Sequence, residues 1–128
     1  MPRTEEKETR VTADRCRVEV LDQRDGVRVV VMAGEFDLDH AGPLRIALDP
    51  AAEGVRRYVV DVSEVSFADS ITLTILLQAT LAREVVLAGT QPPHLEQLLR
   101  LTGADRVFAA APSVAEGRVM TVPPRSGR

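Results

Sequence analysis

The sequence has no tryptophan, one tyrosine and three phenylalanines, so aromatic residues make up only 3% of its 128 positions. Lysine is almost missing as well: Lys7 is the only one among 16 basic residues, and the arginines are scattered. With a net charge of −3, there is neither a basic face to displace phosphate counterions nor a row of rings on which bases could stack. Direct nucleic-acid binding is therefore not expected. The single cysteine, Cys16, can form neither an internal disulfide nor a CxxC redox pair, which fits a reducing compartment. Its plainest reading is a small buried strand residue. The apolar runs are far shorter than a membrane span. The first ten residues alternate charges without an apolar core, so no signal peptide is expected and the location expected is cytoplasmic.

Catalytic signatures are missing too. His40 and His94 are the only imidazoles, each near an expected helix start, where a solvent-facing structural role is the simpler reading. No HExxH, CxxC or Asp/His cluster suggests a metal site, and no glycine-rich phosphate loop follows a strand. No GxSxG elbow surrounds any serine. The chain is expected to be no enzyme and to carry no cofactor.

What is present is an ordinary core fraction, 45% hydrophobic and 27% charged, in a chain long enough for one domain. Residues 1–14 read as a flexible charged arm, 15–120 as the domain, and 121–128 as a flexible tail. Cys16 to Leu21 and Val27 to Ala33 read as strands joined by an Asp25-Gly26 turn. Gly34-Glu35-Phe36-Asp37 is expected to leave the second strand. A helix is expected from about Asp39, with Pro43 in its first turn, Leu44, Ala47, Leu48 and Ala51 facing inward, and Gly54 ending it. Pro50 would shorten or kink that helix.

Arg57 to Val62 reads as a strand buried on both faces, followed by a run to Asp69-Ser70. Ile71 to Leu81 is ambiguous. Its start alternates like a strand, yet Leu73, Leu76, Leu77 and Leu81 form a helical stripe. A helix suits its length and its place between two strands. Glu84 to Ala88 reads as a strand, and Pro92-Pro93 opens a helix with Leu95, Leu98 and Leu99 on one face, stopped at Thr102-Gly103. Val107-Phe108-Ala109 reads as a short last strand, and Ser113 as the cap of a final helical turn. The order predicts an α/β fold: a mixed β-sheet with an N-terminal antiparallel hairpin, parallel thereafter, and helices covering mainly one face.

Three segments together resemble a known family. Gly34-Glu35-Phe36-Asp37-Leu38 resembles a G-E-[LIF]-D-hydrophobic signature. Val59 to Ser70 resembles V-V-[DN]-[LV]-S-x-[VL]-x-[FY]-[MI]-D-S. Leu98 to Gly103 resembles L-L-x-[LM]-[ST]-G. The order and spacing are similar to those of STAS domains, found in bacterial anti-sigma factor antagonists and in the tails of sulfate transporters. The resemblance implies a phosphoacceptor at Ser70, which follows Asp69, and a partner-binding surface of Glu35, Asp37, Asp69, Ile71, Thr72 and Leu73. It implies two partners: an anti-sigma factor that doubles as a serine kinase, and a metal-dependent serine phosphatase that resets the switch. Ser70 at a helix start would lie beside unpaired amides able to receive a phosphate.

Other readings stand beside it. Asp and Ser are favoured helix caps, so Asp69-Ser70 can serve only to start a helix. Glu35 and Asp37 can be solvated turn residues. Asp61, near the end of a buried strand, is placed like the phosphorylated aspartate of receiver domains. Those domains need an acidic pair and a later strand-end lysine, and Lys7 lies in the arm. Phosphorylated antagonists usually read D-S-[ST]-G-[LAV], whereas this chain has Ile71 and Thr72. A β-branched Thr72 in place of glycine is expected to stand in the way of a partner's backbone. The alternative is thus a STAS module that is never phosphorylated, acting as a constitutive scaffold or small-ligand sensor.

Overall fold

A computed structural model describes residues 9–12, 16–39, 41–49 and 51–122. Among the described residues six strands form one sheet in sequence order: β1 (Thr9–Thr12), β2 (Cys16–Arg24), β3 (Val27–Phe36), β4 (Arg57–Ala68), β5 (Glu84–Ala88) and β6 (Ala109–Ala111). The first three run antiparallel; β3, β4, β5 and β6 are parallel. The crossovers carry α1 (Gly42–Ala47), α2 (Ser70–Thr80) and α3 (Pro93–Thr102), and α4 (Val114–Val119) follows the last strand.

Parallel neighbours need a crossover, and this decides the ambiguous segment after Ser70 in favour of a helix. The turn between β2 and β3 has positive φ at Asp25 (55°) and Gly26 (78°), the twist a two-residue hairpin requires. The expected strand at Glu84 to Ala88 and the proline-opened helix after it lie where they were read. Ser113 caps α4 by accepting a hydrogen bond from the Glu116 amide.

Elsewhere the chain departs from its local pattern. Residues 9–12, read as part of a flexible arm, form β1 and pair with Arg17 to Val20. Their Thr-Arg-Val-Thr composition suits a strand once an edge is there to receive it. β3 does not end before Gly34. That glycine, at φ 95°, forms an irregularity that shifts the register with β4 and lets the strand continue to Phe36. β4 likewise runs on through Ser63 to Ala68, because the prolonged β3 gives it a partner.

α1 starts at Gly42 rather than Asp39, and Ala51 is exposed. The fixed φ of Pro43 sets the start, while the Asp49 carboxylate takes the Ala51 amide and turns the chain away. The last strand is β6, two residues later than expected, because a 3-10 turn (Ala104–Arg106) occupies the preceding stretch. The readings placed on His40 and Pro50 lie outside the described residues.

The main core lies between one sheet face and α1, α2 and α3, where Leu44, Leu48, Leu76, Leu95 and Leu99 pack on Met32, Tyr58, Val60 and Leu87. A smaller cluster on the other face joins Val27, Val29, Val59, Val86 and Ala111 to Val114 and Met120 around α4. Helices thus cover one face heavily. Gly117 lets α4 approach closely: a Cβ there would stand 3.1 Å from Val59 Cγ1. Arg57, only 4% exposed, holds the helix down. Its guanidinium donates to the carbonyls of Gly117 (2.9 Å) and Arg118 (3.2 Å) and, through Nε, to Glu84 (2.8 Å). A cation bonded to the last carbonyls of a helix also complements its dipole.

Tyr58, the single tyrosine, is fully buried and its hydroxyl donates to the Asp49 carbonyl, fastening the α1–β4 loop. Burial pushes its ionisation above the ordinary 10.0, while the nearby Arg28 and Arg83 guanidiniums partly oppose the rise. The neutral ring is therefore the form the fold favours. Stability from this group is present below the unfolded value and lost as pH climbs through the raised folded value. Tyr58→Phe is expected to cost about 0.5–1.5 kcal/mol near neutral pH, from the lost hydrogen bond. It should also remove part of the stability loss above about pH 10. Urea unfolding of both proteins from neutral to alkaline pH checks this; parallel curves would show that Tyr58 ionises alike in the folded and unfolded states and that burial does not raise it.

Candidate functional site

The ends of β3 and β4 are fastened together by few atoms. The Phe36 carbonyl accepts the Asp69 amide (3.2 Å) and the Thr72 hydroxyl (3.0 Å). The Asp69 carboxylate, through Oδ1, accepts the amides of Ile71 (3.0 Å) and Thr72 (3.1 Å), with the Thr72 hydroxyl at 3.4 Å. Asp69 has extended backbone and is the N-cap of α2, so it answers two of the donors that a helix start leaves open. The loop after β3 is turned in the same manner, with the Asp39 amide donating to the Asp37 carboxylate at 3.1 Å.

Ser70 is the first residue of α2 and is exposed. Asp69 and Ile71 are half-buried beside it, as are Glu35 and Asp37 on the neighbouring strand end. In register, Glu35 pairs with Phe67 and Phe36 with Ala68. These five residues, Glu35, Asp37, Asp69, Ser70 and Ile71, are thus gathered at the ends of two adjacent parallel strands.

The other two residues of the expected surface turn inward. Thr72 is fully buried and Leu73 is 6% exposed, so neither presents a side chain to a partner. The reason lies in the helix phase: Thr72, Leu73, Ile75, Leu76 and Ala79 form its buried side. Thr72 is consequently no obstacle on the surface. Its β-branched side chain points at the Phe36 carbonyl, where its hydroxyl satisfies a buried acceptor. The stripe read from the sequence also misplaces Leu81, which is 75% exposed because α2 ends at Thr80.

One neighbour, His94, carried no motif of its own in the sequence. His94 Nε2 lies 3.1 Å from the Ala68 carbonyl, and its ring stacks on Phe67 with centroids 4.9 Å apart. The start of α3 is thereby tied to the end of β4, one residue before the Asp69 cap. Phe67 is 39% exposed and Leu38 69%, which gives this end of the sheet an apolar element among carboxylates. The aromatic position in the Val59 to Ser70 run marked Phe67; nothing local marked its contact with His94.

The amides near Ser70 are not vacant in the way expected. Those of Ile71 and Thr72 are held by Asp69, and the Leu73 amide bonds the Asp69 carbonyl at 3.2 Å. A phosphate on Ser70 would have to compete with a resident carboxylate. Among the described residues no three His, Cys, Asp or Glu side chains gather where a metal ion could sit. No described helix is long and apolar enough to cross a membrane.

A family model described as "Mlab, STAS domain" matches residues 19–112, and the chain belongs to the STAS domain family. Among solved structures it is similar to an anti-sigma factor antagonist from Mycobacterium paratuberculosis, at 26% identity and a TM-score of 0.71. That match covers 84% of this chain and 96% of the other. It shares its fold with the anti-sigma factor antagonist SpoIIAA in its unphosphorylated form, at 16% identity and a TM-score of 0.54, over 81% of this chain and 87% of that one. No protein of curated function matches the chain.

The geometry makes Asp69 the more costly residue to lose. Asp69→Ala should destabilise the domain by about 1–2 kcal/mol through the lost cap. Thr72→Val, which keeps the shape and removes one hydroxyl, should cost about 1 kcal/mol. Both are read from urea midpoints at unchanged slope. A neutral Thr72→Val would mean that the Asp69 amide alone satisfies the Phe36 carbonyl.

Proposed function

We propose that this STAS-domain protein is a cytoplasmic regulator of transcription of the anti-sigma factor antagonist type. It docks on an anti-sigma factor serine kinase through the surface around Ser70. The observation that carries this reading is the placement of Ser70: exposed, first in α2, directly after the Asp69 cap, at the edge formed by Glu35 and Asp37. The similarity to the mycobacterial antagonist supports it. The protein would act by occupying its partner rather than by catalysis.

Phosphorylation of Ser70 would bring roughly −1.5 to −2 charges to the centre of that surface. Two unit charges about 4 Å apart interact by about 4 kcal/mol at an effective dielectric of 20. The cap formed by Asp69 contributes about 1 kcal/mol. Repulsion between phosphate and Asp69 therefore exceeds the cap, and the strand-to-helix turn would be strained as well as recharged. Release of the partner needs no larger change. A metal-dependent serine phosphatase would restore the docking form.

A second reading is favoured by Ile71 and Thr72, which replace the hydroxyl residue and glycine usual in phosphorylated antagonists. Thr72 holds the turn against Phe36, and a kinase that needs a pliable segment would meet a rigid one. Here the module docks without being phosphorylated, as a constitutive scaffold.

The deciding experiment combines the purified protein with candidate anti-sigma kinases and ATP, and maps phosphate by mass spectrometry. The switch predicts incorporation at Ser70, absent in Ser70→Ala, and binding weakened about a hundredfold by Ser70→Asp. Binding that ignores Ser70→Asp, with no phosphate taken up, supports the scaffold. No binding to any such kinase overturns both.

A further inference from the structure

The opposite end of the sheet, where β4 and β5 begin, carries a cleft of about 530 Å³, within the size range of small-molecule sites. Its floor is apolar, formed by Val55, Val85 and Val107, and Leu81 stands on its rim. Arg56, Arg83 and Glu84 supply the charge. Glu84 is already engaged from behind by the buried Arg57 at 2.8 Å, while Arg56 stands off at 4.0 Å. The cleft therefore keeps a positive balance over an apolar floor.

The bonding of Arg83 points the same way. Its terminal nitrogens donate to the carbonyls of Ala82 (3.1 Å) and Ala52 (2.8 Å), but its Nε is buried without a hydrogen-bond partner. A buried donor left unpaired is costly, and more so on a charged group. The negative end of α2 does not cancel the arginines, because the amides of Leu81, Ala82 and Arg83 already answer the carbonyls of Gln78 and Ala79. Among the described residues the Arg83 guanidinium meets only neutral carbonyls, Arg56 is weakly engaged, and an apolar wall lies beside both.

We propose that this cleft binds a small amphipathic anion: a carboxylate head against Arg56 and Arg83, with a short hydrocarbon or ring body on Val55, Val85, Val107 and Leu81. The site is separate from the Ser70 surface and does not depend on how that surface works. Both do touch α2, which begins at Ser70 and ends beside the cleft.

Hexanoate is a suitable probe, titrated into the full chain while backbone amide resonances are followed. Acetate supplies the head alone and 1-hexanol the body alone. Hexanoate should give saturable shifts confined to residues 80–85, 107 and Arg56, with a midpoint in the millimolar range expected for so small a ligand. Acetate and hexanol should each bind at least about tenfold more weakly. Arg56→Gln should weaken hexanoate about tenfold and leave hexanol unchanged, whereas Leu81→Ser should weaken both. Arg56 and Leu81 are exposed, so both variants should keep the parent spectrum elsewhere. Scattered or unsaturable shifts, hexanol binding as well as hexanoate, or indifference to Arg56→Gln would each overturn the proposal.

Discussion

The carbonyl of Phe36 has two hydrogens to accept, one from the Asp69 amide and one from the Thr72 hydroxyl, and the site depends on that junction. A buried carbonyl without a partner costs about 1–3 kcal/mol, so the chain must bring the start of α2 to the end of β3. Doing so fixes the phase of the helix. Thr72 inward sets Leu73, Ile75 and Leu76 against the sheet, and the residue left outermost at the start is Ser70. The exposure of Ser70 follows from how its neighbours are satisfied. Gly34 contributes from the other side: its left-handed backbone lets β3 slip in register and still deliver Phe36 beside Ala68.

Much of this architecture is legible locally because local and tertiary preferences agree. Glu84 to Ala88 is apolar and flanked by breakers, and it is β5. Pro92-Pro93 and Gly103 bracket α3 at the ends that proline and left-handed glycine favour. Where the two preferences part, the sequence misleads. Gly34 reads as a strand end, yet a partner strand carries β3 past it. Leu81 completes a leucine stripe, yet the helix stops one residue earlier and leaves it in solvent. At the candidate site, the Asp-Ser pair and the Gly-Glu-Phe-Asp loop are visible as motifs. The inward turn of Thr72 is not, because it depends on a carbonyl 36 residues away. The run from Arg57 to Val62 reads as a buried strand, but it does not show what pairs the arginine, since the acceptors lie on α4 and Glu84.

The two ends of the parallel strands are chemically unlike. At the ends of β3 and β4, Glu35, Asp37 and Asp69 are gathered at the same end as Ser70, which also carries Leu38 and the Phe67–His94 stack. At the beginnings of β4 and β5, Arg56 and Arg57 converge on Glu84, and Arg83 lies beside them on the cleft. Loops at strand ends are where an α/β sheet has freedom to place function, while the strands between are committed to packing. A net charge of −3 hides this division, since it averages an acidic end against a basic one.

The division bears on how a phosphoswitch at Ser70 would operate. A phosphate placed on a vacant helix start is welcomed by free amides and the positive dipole end, and the module then differs from its parent mainly in charge. Here the Ile71 and Thr72 amides already belong to Asp69, and the same Asp69 residue bonds Phe36 through its own amide. Phosphate and carboxylate would contend for the same donors. If Asp69 yields, the helix start exchanges one anion for another and the link to β3 is loosened. If Asp69 holds, the phosphate stays in solvent as an unneutralised charge facing the partner. Either outcome opposes docking, the first through shape and the second through charge. The tight turn built by Thr72 therefore does not abolish the logic of a switch; it makes modification cost more within the domain itself.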